Sequence, residues 1–130
     1  MAPVYPERDL DVYKRQDFVG GETQDLAFNI YFYANKRPYS LSGCTANFSI
    51  VSFRNRIGTP ILTKEMGVAF NTEGTINNVL TVTLSPEETV DLFGKYIYEI
   101  QMRDIDGDVE IPKQGILYVT NNINKGFIRQ

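Results

Sequence analysis

From Asp25 onward the apolar positions fall at every second residue. Leu26, Phe28, Ile30 and Phe32 alternate with Ala27, Asn29, Tyr31 and Tyr33, which predicts a strand with one face on a core and the other turned outward. Asn35-Lys36-Arg37-Pro38 breaks the pattern. It resumes with Cys44, Ala46, Phe48 and Ile50 on one face and Thr45, Asn47, Ser49 and Val51 on the other, then stops at Arg54-Asn55-Arg56 before Gly58. Shorter apolar pieces at Ile61-Leu62 and Val68-Ala69-Phe70 are bounded by turn formers such as Gly67 and Asn71. Leu80, Val82 and Leu84 then alternate with Val79, Thr81 and Thr83, in the β-branched composition that strands favour.

One brief helix interrupts this rhythm. Ser85-Pro86-Glu87-Glu88 reads as a capping box: the serine hydroxyl accepts from the amide three residues on, and Glu88 reaches back. Pro86 stands at the first helical position, where its missing amide costs nothing. Gly94 limits the helix to about Leu92 or Phe93, after which Tyr96, Tyr98, Ile100 and Met102 resume the alternation. Asp104-Ile105-Asp106-Gly107-Asp108 supplies a hairpin turn, and Val109 to Val119 the returning strand. Pro112 cannot donate to a ladder, so it predicts a sheet edge or a bulge.

The pattern as a whole predicts an all-β fold, an immunoglobulin-like antiparallel β-sandwich of six to seven strands with one short capped helical turn. The sandwich is expected over residues 17–120, between a leader at 1–16 and a polar tail at 121–130. The leader has two prolines, several charges and no apolar segment of the secretory kind. Within it Asp11 to Gln16 is identical to the in-frame translation of a transposon end used to prepare sequencing libraries, so residues 1–16 are set aside from the functional reading.

Composition narrows the chemistry. The 130 residues contain no histidine, no tryptophan and a single cysteine. Without histidine there is no Ser-His or Cys-His nucleophile pair, and no imidazole ligand for zinc. Cys44 cannot form an internal bridge and is expected as a small core residue. With 16 acidic against 13 basic residues, the chain lacks the positive balance of a phosphate-neutralising nucleic-acid binder. No apolar run reaches the roughly 18 residues that a membrane span needs.

Three constellations remain. Asp104, Asp106, Asp108 and Glu110 offer carboxylates to calcium, but Gly107 follows the second acidic position rather than the third, and Gly115 stands where the helical calcium loop needs glutamate. An exposed, solvated hairpin is the simpler expectation. Glu87, Glu88 and Glu99 are available for paired-carboxylate catalysis, yet Glu88 is spoken for as a cap and Glu87 suits the helix dipole. The expectation is therefore no catalytic residue, no metal and no cofactor. Tyr31, Tyr33 and Tyr39 are candidate sugar or protein contacts on or beside the outward face of the first alternating strand.

The order of these features resembles a known family. Pro38-Tyr39-Ser40-Leu41-Ser42-Gly43-Cys44-Thr45-Ala46 is similar to the junction between the first two strands of the immunoglobulin-like domain of phage upper baseplate proteins and related small tail and tail-fibre-associated proteins. Leu84-Ser85, Thr89, Leu92 and Gly94-Lys95-Tyr96-Ile97-Tyr98-Glu99 resemble its second signature, followed by Asp106-Gly107 and Gly115-Ile116-Leu117-Tyr118-Val119. The resemblance runs from about Gly20 to Val119. It implies a non-enzymatic structural module in the tail or baseplate of a virion, made in the host cytoplasm and partnered by other virion subunits or by further copies of itself. Pro112, Ile123, Phe127 and Ile128 are then the expected assembly contacts. A carbohydrate-binding module that helps attachment to host glycans is the alternative.

Overall fold

The computed structural model describes residues 16–129 apart from Tyr33 and Arg56. Strands β1 (Gln16–Val19), β8 (Val109–Thr120), β7 (Gly94–Arg103), β3 (Thr45–Ser52) and β4 (Leu62–Glu65) form one sheet in that order. The facing sheet is β2 (Gln24–Asn29), β6 (Val79–Leu84) and β5 (Gly67–Ala69). Three hairpins, β3–β4, β5–β6 and β7–β8, stay within a sheet, and the remaining connections cross between sheets. The helix α1 (Pro86–Thr89) carries one of these crossings, and a second short helix, α2 (Lys125–Ile128), lies in the tail.

This is the all-β, immunoglobulin-like sandwich that the alternation predicts, with three differences. The described residues hold eight strands rather than six or seven, because β1 is only four residues long and lacks an alternating run. The sheet is not wholly antiparallel, since β1 pairs parallel to β8 from Gln16↔Leu117 to Val19↔Thr120. Gln16, assigned to the leader, is thus the first paired residue among the described residues. The third difference is α2, within what reads as a plain polar tail.

The inward positions of both sheets bury a core in which three rings meet. Phe28 of β2 and Phe48 of β3 lie 6.2 Å apart, and Tyr98 of β7 is 5.6 Å from each. Antibody domains clamp the same three strands with a disulfide packed on a tryptophan. Here aromatic packing takes that place, which accounts for a sandwich with neither cystine nor tryptophan.

The crossing at α1 explains the spacing of its residues. The Ser85 hydroxyl accepts from the Glu88 amide, and Glu88 Oε1 accepts from the Ser85 amide at 2.8 Å and from Lys64 Nζ at 2.9 Å. Buried Thr89 ties α1 to the β1–β2 turn: its hydroxyl accepts from Gly21 N–H and donates to the Glu22 carbonyl. Gly94 adopts φ +99°, which releases the chain into β7. Tyr96 then accepts from Phe93 N–H at 2.8 Å and donates to the Phe93 carbonyl, forming a tyrosine corner two residues before Tyr98.

Pro112 sits at the expected bulge. Ile100 pairs with Lys113 and Met102 with Glu110, so Ile111 and Pro112 together face Gln101 alone.

Candidate functional site

The registers give the sandwich two ends. The β7–β8 hairpin and residues 30–44 meet at the upper end, while α1, the β1–β2 turn, residues 53–61 and the tail meet at the lower end.

At the upper end the backbone of Ile30 and Leu41 is laced to Asn77 and Asn78, just before β6, and that of Tyr39 to Ile30. Ile30 N–H donates to the Asn78 carbonyl, Tyr39 N–H to the Ile30 carbonyl and Leu41 N–H to the Asn77 carbonyl. Tyr39 is thereby drawn into the core, with its ring 4.8 Å from that of Phe32. It is not an outward contact. Tyr31 is 36% exposed and Tyr33 lies outside the described residues, so Tyr31 alone of the three tyrosines is found on the surface among the described residues.

The acidic hairpin is organised around Asp104. Its Oδ1 accepts from the amides of both Asp106 and Asp108 at 2.9 Å, and its own amide donates to the Asp108 carbonyl. Asp104 is a turn-bracing residue, only 6% exposed, rather than one corner of a solvated cluster. Its Oδ2 meets no hydrogen-bond donor among the described residues. A cleft of about 530 Å³ lies here, lined by Phe32, Tyr39, Cys44, Ile76, Asp104 and Ile105 among others. Burial pushes the Cys44 thiol up from its ordinary range, and the Asp104 charge pushes it further. Tyr39 is raised chiefly by burial, with Cys44, Asp104, Glu110 and Asp106 adding to it. No group of three or more acidic, cysteine or histidine side chains gathers in metal-binding geometry among the described residues.

The lower end presents apolar side chains. Ile123 is 98% exposed and Phe127 66%, and Phe93 is exposed beside the start of β7. The tail that carries the first two is tethered: Asn122 Nδ2 donates to the Gly20 carbonyl at 2.7 Å, and Arg129 pairs with Asp91. Ile128 differs from its neighbours. It packs on Gly21, where a Cβ would meet its side chain at 3.0 Å, so it anchors the tail to its own domain. Pro112 is buried, and its ring is not available to a partner either.

No family model matches the chain, and no curated protein matches it. Among solved structures, extracellular domains 3–5 of Drosophila OTK are similar at 14% identity and a TM-score of 0.37, covering 94% of this chain. The chain spans 38% of that structure's length. AggA, the major subunit of aggregative adherence fimbriae type I from Escherichia coli, is similar at 13% identity and a TM-score of 0.37, covering 90% of this chain and 91% of its own.

Two of the three carboxylates weighed for catalysis, Glu88 and Glu99, are engaged in structure. Glu88 is held by Ser85 and Lys64, and Glu99 accepts from Gln101 and Gln114 on the outward face of β7. Phe93 and the unpartnered oxygen of Asp104 are the features that sequence reading missed. An apolar residue just before the turn-forming Gly94 is the only signal for the first, and nothing local distinguishes Asp104 from Asp106 or Asp108.

Proposed function

We propose that this chain is a non-enzymatic structural module of a bacteriophage tail or baseplate, which works by docking onto neighbouring virion subunits. The observation that carries the docking part is the tethered tail: Asn122 and Arg129 hold it, while Ile123 and Phe127 stand out into solvent. A tail fixed at both ends presents apolar anchors with little ordering left to lose on binding. The placement in a phage tail is supported by the ordered sequence resemblance from Leu84 to Val119.

Negative-stain imaging of virions labelled against the protein tests the placement. Label at the tail or baseplate is expected; label on the capsid alone, or on no particle, refutes it. Removing Asn121 to Gln130 is expected to abolish incorporation, and unchanged incorporation would remove the tail from the docking surface.

A further inference from the structure

We propose that the cleft between the β7–β8 hairpin and residues 30–44 receives a basic side chain, a lysine or arginine carried by a docking partner, with Asp104 as its counter-ion. The inference rests on the docking reading above and names the chemistry of what docks.

The carboxylate is the first reason. Two amides hold Asp104 Oδ1 and fix the side chain to its turn, while Oδ2 is buried and no donor among the described residues reaches it. The adjacent cation does not fill the role, because Arg103 Nη1 donates to the Gly107 carbonyl. A buried charged oxygen without a donor is costly, and a cation that supplies one recovers that cost on binding.

The walls are the second reason. Phe32, Tyr39 and Ile76 offer apolar and aromatic surface beside the carboxylate. That suits the methylene stem of lysine or arginine, and ring faces attract its charged head. A bare metal ion lacks such a stem, and the three or more ligating side chains it needs are not grouped among the described residues. Ile105, 78% exposed and lying against Gly43, is the wall that must move aside on entry.

The third reason is the sign of the field. Asp106 and Glu110 act on Tyr39 together with Asp104, so negative potential extends across the cleft rather than residing on one atom.

Titration of the isotope-labelled chain with butylguanidinium, butylammonium and neutral butylurea, followed by NMR, tests the proposal. Both cations are expected to give saturable shifts at Cys44 and Ile105, with butylurea binding weaker by roughly tenfold. Asp104→Asn keeps the Oδ1 acceptor and is expected to lose about the same factor, while Glu73→Gln leaves binding unchanged. Equal binding of butylurea, wild-type affinity in Asp104→Asn, or no saturable shift with either cation would each overturn it. The neutral probe decides the matter in the native chain even if Asp104→Asn fails to fold. Virion labelling at the tail without cation binding would sink the cleft and leave the docking reading standing.

Discussion

Gly115 faces Tyr98 across the β7–β8 ladder, and a Cβ on Gly115 would come within 2.5 Å of the tyrosine ring. The glycine is required for space, not for an unusual backbone angle. It lets the Tyr98 ring lie over β8 and reach Phe28 and Phe48. Gly115→Ala is therefore expected to destabilise the fold by about 1–3 kcal/mol in urea denaturation, since the ring must shift within a packed core. In a Tyr98→Leu background the same change is expected to cost clearly less. An equal cost in both backgrounds would show that the two residues are not coupled.

The Tyr96 hydroxyl both accepts from and donates to Phe93, closing the corner from α1 into β7. Tyr96→Phe deletes both bonds without changing the ring. A loss of about 1–2 kcal/mol is expected, together with faster hydrogen exchange at the Phe93 amide. Unchanged exchange there would contradict a bracing role for the hydroxyl.

Glu88 links the helix cap to acid stability. The Ser85 amide, and next the Lys64 ammonium, hold its carboxyl below the usual glutamate range. A carboxyl depressed in the folded state contributes stability above its unfolded pKa and loses it as pH falls through the folded value. Unfolding midpoints measured from pH 6 down to pH 3 should therefore decline, and Glu88→Gln should flatten part of that decline. Ser85→Ala is expected to cost about 1 kcal/mol through the lost cap.

Cys44 is half-buried, and both burial and the nearby Asp104 charge raise its thiol. The thiolate is the reactive form. Alkylation by iodoacetamide at pH 8 should be several-fold slower in the folded chain than in urea, and should keep rising with pH beyond the point where an unfolded cysteine levels off. Asp104→Asn should speed it modestly; a rate equal to that of the unfolded chain at pH 8 would contradict the assignment.

The single capping box, the two-residue period and the turn formers are local properties, and each was legible because its cause lies within a few residues. Leu26, Phe28 and Ile30 are buried where the period predicts, and Ser85 caps the helix, which ends at Thr89, short of the Leu92 or Phe93 that Gly94 suggested. The hairpin and the bulge at Pro112 follow from turn chemistry and from a missing amide. Tyr39 is the contrasting case. Its position beside the first alternating strand leaves its burial open, and bonds from Tyr39 to Ile30 and from Ile30 to Asn78 turn it inward. Ile128 and Phe127 are adjacent late hydrophobes in the same tail, yet only Ile128 packs on Gly21, more than a hundred residues away in sequence. The parallel pairing of β1 with β8 and the isolation of Asp104 Oδ2 likewise depend on segments brought together over long separations. From the sequence by itself came the class of fold, the helix cap and the places where the chain turns, because steric and hydrogen-bonding preferences of neighbouring residues decide those. Which side chains are left at the surface, and which carboxylate oxygen among the described residues is left inside without a donor, only the packing of one sheet on the other decides.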